Sequence, residues 1–76
     1  MSETHKTFTL TTEMITLGQL LKAVGYVGSG SGVKDALRVP GFTVNGEIEN
    51  RRGRKLFPGD MVEMPGELIV VLQSAS

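Results

Sequence analysis

Hydrophobic and polar positions along the chain switch between two periods. In TFTLTT, Thr alternates with Phe8 and Leu10, the spacing of a half-buried strand. ITLGQLLKAVG follows, with Leu17, Leu20, Leu21 and Val24 on one face of a helix over about 16–25. Thr16 can cap that helix, and Gln19 three residues later completes a capping box, with Ile15 and Leu20 at the positions of a hydrophobic staple. Gly25 is a stop signal, and Lys22 falls off the apolar face. Four glycines in eight residues (Gly25, Gly28, Gly30, Gly32) mark a turn and a weak second helix over about 30–39. Ser29 or Ser31 can cap it, and Val33, Ala36 and Leu37 form its apolar face. Lys34 and Arg38, four apart, project from one side. Pro40 disfavours helical geometry at Val39 and ends the element.

From Phe42 onward the period is 2. FTVNGEI reads as a hairpin about Asn45-Gly46. A two-residue turn would set Glu47 opposite Val44; a three-residue loop would pair Val44 with Ile48, and burial favours the latter. KLFPGDMVEM turns at Pro58-Gly59, where Asp60 closes the turn. Pro65-Gly66 makes another turn, and LIVVLQ is a β-branched last strand. The fold class predicted is α+β: two helices in the N-terminal half packed on a small antiparallel β-sheet, which also takes in strands near 7–11 and 67–73.

Composition narrows the chemistry. Seventy-six residues suit one domain with one small core, and the whole of 1–76 is expected to be that domain. The chain has no Cys, so disulfides and thiolate metal sites are excluded. Net stability of roughly 5 kcal/mol is expected. No apolar run approaches the ~20 residues of a membrane span. MSETHKTFTL lacks the basic and apolar regions of a secretory signal, so a cytoplasmic protein is expected. His5 is the sole histidine and falls in an N-terminal tail with no assigned role. Met14, Met61 and Met64 read as core filler. With no Cys, one terminal His and no ligand spacing, neither a catalytic site nor a metal site is expected. The glycines at 28, 30 and 32 follow a helix rather than a strand, which does not fit a nucleotide-binding loop.

Charge adds a sharper signal. Eight Lys and Arg balance eight Asp and Glu. Yet residues 22–55 hold seven cations and three acids, a net +4, while residues 56–76 carry three acids and no cation. Arg51, Arg52, Arg54 and Lys55 fall within five residues, spaced by Gly53. Arginine forks bind phosphate bidentately and stack on unpaired bases. A concentrated basic segment in a neutral chain therefore points to a polyanion-binding face.

These segments in order — TLGQLLKAVG, SGSGVKDAL, FTVNGEI and LFPGDMVEM — resemble the S-four RNA-binding domain, or αL RNA-binding motif, over about 15–64. The likeness extends to the stand-alone bacterial YaaA/YbcJ-type proteins through ITLGQLLK, VNGE and NRRGRKL. Two departures fall on helix two: Gly32-Val33, where family members carry a long side chain and then Ala, and Val39-Pro40-Gly41 at its end. Gly32 should loosen the helix start by up to ~1 kcal/mol. The resemblance implies a non-enzymatic RNA-binding protein, monomeric and without cofactor, that contacts structured RNA, ribosomal RNA included. It implies contacts from Lys22, Ser29, Gly30, Lys34, Arg38, Arg51, Arg52, Arg54 and Lys55. A protein–protein adaptor on a ribonucleoprotein is the alternative. A β-grasp sulfur carrier shares VNGE and PGD, but it would end in Gly-Gly and would not place two helices before the VNG turn.

Overall fold

The computed structural model describes residues 4–28, 30–66 and 68–75. Its elements are β1 (Thr4–Leu10), β2 (Ile15–Thr16), α1 (Leu17–Ala23), α2 (Gly30–Ala36), β3 (Thr43–Val44), β4 (Glu47–Ile48), β5 (Lys55–Leu56), β6 (Met61–Met64) and β7 (Leu68–Ser74). The class is α+β. Leu17, Leu20 and Leu21 of α1, Val33 of α2 and Leu37 just beyond it share one buried cluster with Val44, Val62, Met64, Val70 and Leu72 of the sheet. Tyr26 packs its ring edge-to-face on Phe42, centroids 5.6 Å apart, joining the turn after α1 to the start of β3.

The ends of α1 follow its sequence signals. Gln19 N–H donates to Thr16 Oγ1 at 3.3 Å, and Thr16 N–H donates to Gln19 Oε1 at 3.0 Å, the reciprocal capping box. At the other end Gly25 takes φ +80°. Tyr26 N–H reaches Leu21 O at 2.9 Å and Gly25 N–H reaches Lys22 O at 3.1 Å, the paired bonds of a Schellman stop.

Several expectations need correction. The main sheet, ordered β1-β7-β6-β3-β4, is mixed rather than antiparallel. β1 runs parallel to β7, from Thr4 opposite Leu68 to Leu10 opposite Ser74. Alternation of side chains reports which face is buried and not strand direction, so the pattern could not distinguish the two. His5 is not in a tail; it lies in β1 opposite Ile69. The helices are shorter than the 16–25 and 30–39 spans. Arg38 lies beyond α2, in a turn tightened by Arg38 N–H to Asp35 O at 3.2 Å and Val39 N–H to Ala36 O at 3.1 Å. Because α2 starts at Gly30, Ser31 lies inside the helix rather than capping it, and Ser29 lies outside the described residues.

The hairpin takes the two-residue turn. Val44 faces Glu47 and Thr43 faces Ile48, with positive φ at both Asn45 (+54°) and Gly46 (+88°), as a type I′ turn requires. Turn chemistry therefore outweighed burial, and Ile48 is left 86% exposed on the sheet's edge strand. Met64 is core, but Met61 alternates outward and is exposed.

Candidate nucleic-acid interface

The basic loop does not hang free; it is docked on the start of α1. β5 pairs with β2, setting Thr16 opposite Lys55. Leu17 N–H donates to Arg54 O at 2.9 Å and Gly18 N–H donates to Arg52 O at 2.9 Å. With Gln19 N–H held by the Thr16 side chain, the first three amides of the helix are satisfied internally. The end of α1 is therefore a clamp for the loop rather than an anion seat. Gly18 makes this approach possible. A Cβ there would lie 3.2 Å from Val33 Cγ1, 3.3 Å from Arg52 Cβ and 3.4 Å from Arg52 O, where α1, α2 and the loop meet.

Glu49 fixes the loop from inside. Its carboxylate is 6% exposed. It accepts Arg51 Nε at 2.9 Å, Arg51 Nη2 at 3.1 Å, Arg51 backbone N–H at 3.0 Å and Arg54 Nη1 at 2.8 Å. The Arg51 side-chain bonds, against the opposing pull of burial and with further help from the Arg51 amide and Arg54, lower its pKa to about 2. The same pairing raises the Arg51 guanidinium above its ordinary value. A buried carboxylate held by a fork and a second arginine is a structural tie: removing a partner would strand a charge.

Four cations named from the sequence come together on the surface. One groove, of about 250 Å³, runs along Thr16, Gln19, Lys22, Arg52 and Gly53. A second, of about 420 Å³, is lined by Lys34, Leu37, Arg38, Asn50 and Arg52. Arg52 borders both, so Lys22 of α1, Lys34 of α2, Arg38 and the loop form one basic surface. Among the described residues none of these four has an ion-pair partner. Arg51, Arg54 and Lys55 border a separate hollow with Gly53, and two of those three are tied to Glu49. Gly30 opens α2. Glu49, Gly18 and Asn50 were not singled out by sequence reasoning. For Glu49 a signal existed: an acid two residues before Arg51 and five before Arg54, in a basic segment where any acid is out of place.

Across the molecule, Asn45 and Asp60 join two turns. Asn45 Nδ2 donates to Asp60 Oδ1 at 3.0 Å, Met61 N–H donates to Asn45 Oδ1 at 3.0 Å, and Phe57 N–H donates to Asp60 Oδ2 at 2.8 Å. Both residues serve turn chemistry, as their positions beside Gly46 and Gly59 imply. No group of three or more metal-binding side chains occurs among the described residues, and no helix among them is long and apolar enough to cross a membrane.

Of the pieces that built the resemblance, the capped first helix, the second helix and the docked loop meet around Gly18, and the VNGE turn joins the PGD turn. A sequence profile of the S4 domain matches residues 8–72. The chain belongs to the S4 domain family. This S4 domain is also similar to the probable ribosome maturation protein RlbA of Bacillus subtilis (strain 168). The two are 53% identical over 55 residues, covering 72% of this chain and 78% of that protein.

Proposed function

We propose that this S4 domain is a non-enzymatic, cytoplasmic RNA-binding protein that contacts structured RNA, with ribosomal RNA as the target class and ribosome maturation as the process. Family membership and the likeness to a probable ribosome maturation protein support the RNA and ribosomal parts. The observation that carries the surface is Arg52. It borders both grooves and gathers Lys22, Lys34 and Arg38 around a rigidly docked backbone. Four cations on one face, without an ion-pair partner among the described residues, suit successive phosphates of a folded RNA. Arg51, Arg54 and Lys55 form a second shoulder of the same loop, with Arg51 and Arg54 acting mainly through their tie to Glu49. Ser29 and Gly30, which precede Lys34 in the sequence, belong to the proposed surface on family resemblance.

The experiment is a salt titration of binding to ribosomal RNA fragments. Four phosphate contacts give a log–log slope of roughly −3. Arg52→Gln should weaken binding and reduce that slope by about 1. An affinity indifferent to salt would overturn the reading. A preference for an acidic protein surface over RNA would favour the adaptor instead.

A further inference from the structure

The second groove does not end at its cations. Arg38, Leu37 and Asn50 also border an adjoining cleft of about 180 Å³, whose remaining walls include Val39, Pro40, Phe42 and Ile48. Ile48 is 86% exposed and Val39 52%, so two of the largest exposed apolar side chains face one small cleft beside the basic surface. Between the charged and the apolar parts stands Asn50. Its side-chain amide has no hydrogen-bond partner among the described residues, and it carries both donors and an acceptor. It is held in place from behind. Glu49 N–H donates to Phe42 O at 3.0 Å, and the neighbouring Glu49 side chain is locked by two arginines.

Charge, then an amide with free donors and acceptor, then an apolar slot: that sequence of chemistries matches one nucleotide and not a run of backbone. A phosphate suits Lys34, Arg38 and Arg52. A base suits apolar side chains on its faces and an amide at its edge. A paired base offers neither its faces nor its full edge. We infer that this groove seats a single unpaired nucleotide displaced from a structured RNA, its phosphate among Lys34, Arg38 and Arg52, its base against Val39, Pro40 and Ile48, and its edge on the Asn50 amide. This rests on the RNA-binding reading and adds to it a discrimination that phosphate contacts cannot supply. It also gives a role to the outward-facing Ile48, which the core does not use.

Three short RNA hairpins with one common stem test it: fully paired, with a one-nucleotide bulge, and with the same bulge made abasic. The parent protein should bind the base-bearing bulge about tenfold more tightly than the other two. Ile48→Ser alters an exposed side chain outside the basic grooves and should remove that preference while leaving affinity for the paired stem and its salt slope unchanged; Asn50→Ala should remove the preference too. Equal binding of all three hairpins by the parent would overturn the nucleotide seat and leave the RNA-binding reading standing. So would equal binding of the base-bearing and abasic bulges, since stem distortion alone would then be what is recognised. Failure to bind any hairpin in a salt-dependent way would overturn both.

Discussion

At the scale of single residues, the loop's charges divide by what they touch. Glu49 is an acid within a basic surface, and simple electrostatics would have its removal tighten RNA binding. Its bonds to Arg51 and Arg54 argue the reverse. Glu49→Gln loses the charge-assisted bonds that shape the loop, so the fold should weaken by about 1–3 kcal/mol in urea denaturation. RNA affinity, measured where the variant is folded, should fall rather than rise. The same tie sets a pH dependence. The folded pKa of about 2 lies below the ordinary value of 4.5. The Glu49 contribution is therefore fully present above about pH 4.5 and is lost as pH falls through about 2. Parent and Glu49→Gln stability curves should converge across that window, and parallel curves would show that the carboxylate titrates normally. Arg51→Gln should cost stability as well as affinity. Arg52→Gln should cost affinity alone, because that exposed side chain forms no ion pair among the described residues.

At the scale of elements, the decisive contact is between α1 and the loop. Gly18→Val would drive a branched side chain into Val33 and Arg52. Helix propensity improves slightly relative to Gly, so helicity should persist while Arg52 is pushed off its station. The expected outcome is near-normal far-ultraviolet circular dichroism with an RNA affinity close to that of Arg52→Gln. Thr16→Ala, by contrast, should cost about 1 kcal/mol through the lost cap. Both ends of α1 were legible in the sequence because capping is local: Thr16, Gln19 and Gly25 carry their own instructions. The Asn45-Gly46 register was misjudged for the opposite reason. Burial is a property of neighbours, and at an edge strand half of the neighbours are missing, so the I′ turn geometry decided. The basic cluster was visible as charge, but the sorting of Arg51 and Arg54 from Arg52 was not. That depends on Glu49 lying inward, which only the folded loop reveals.

At the scale of the whole molecule, local chemistry gave way to long-range pairing. Nothing in TFTLTT names LIVVLQ as its neighbour, nor fixes their relative direction. Gln73 Nε2 donating to Thr9 Oγ1 at 3.2 Å adds a side-chain bond along that seam. The consequence is that truncation at either end should be global in effect. Deleting residues 1–7 leaves β7 with an open edge beside the buried Ile69, Val70 and Leu72, and the shortened chain should lose its cooperative thermal transition. A truncated protein that melted like the parent would make β1 an accessory strand.

The parallel seam between β1 and β7 also has a mechanical meaning. β1 begins beside Leu68 and β7 ends beside Leu10, so traction on the outer ends of the two strands pulls them lengthwise past each other. The interstrand bonds then bear load together, in shear, instead of opening one at a time as a zipper does. Held by its two ends, this molecule should resist force better than the same fold gripped at the Asn45-Gly46 hairpin and at β7, where β4 and β3 can peel from the open edge strand by strand.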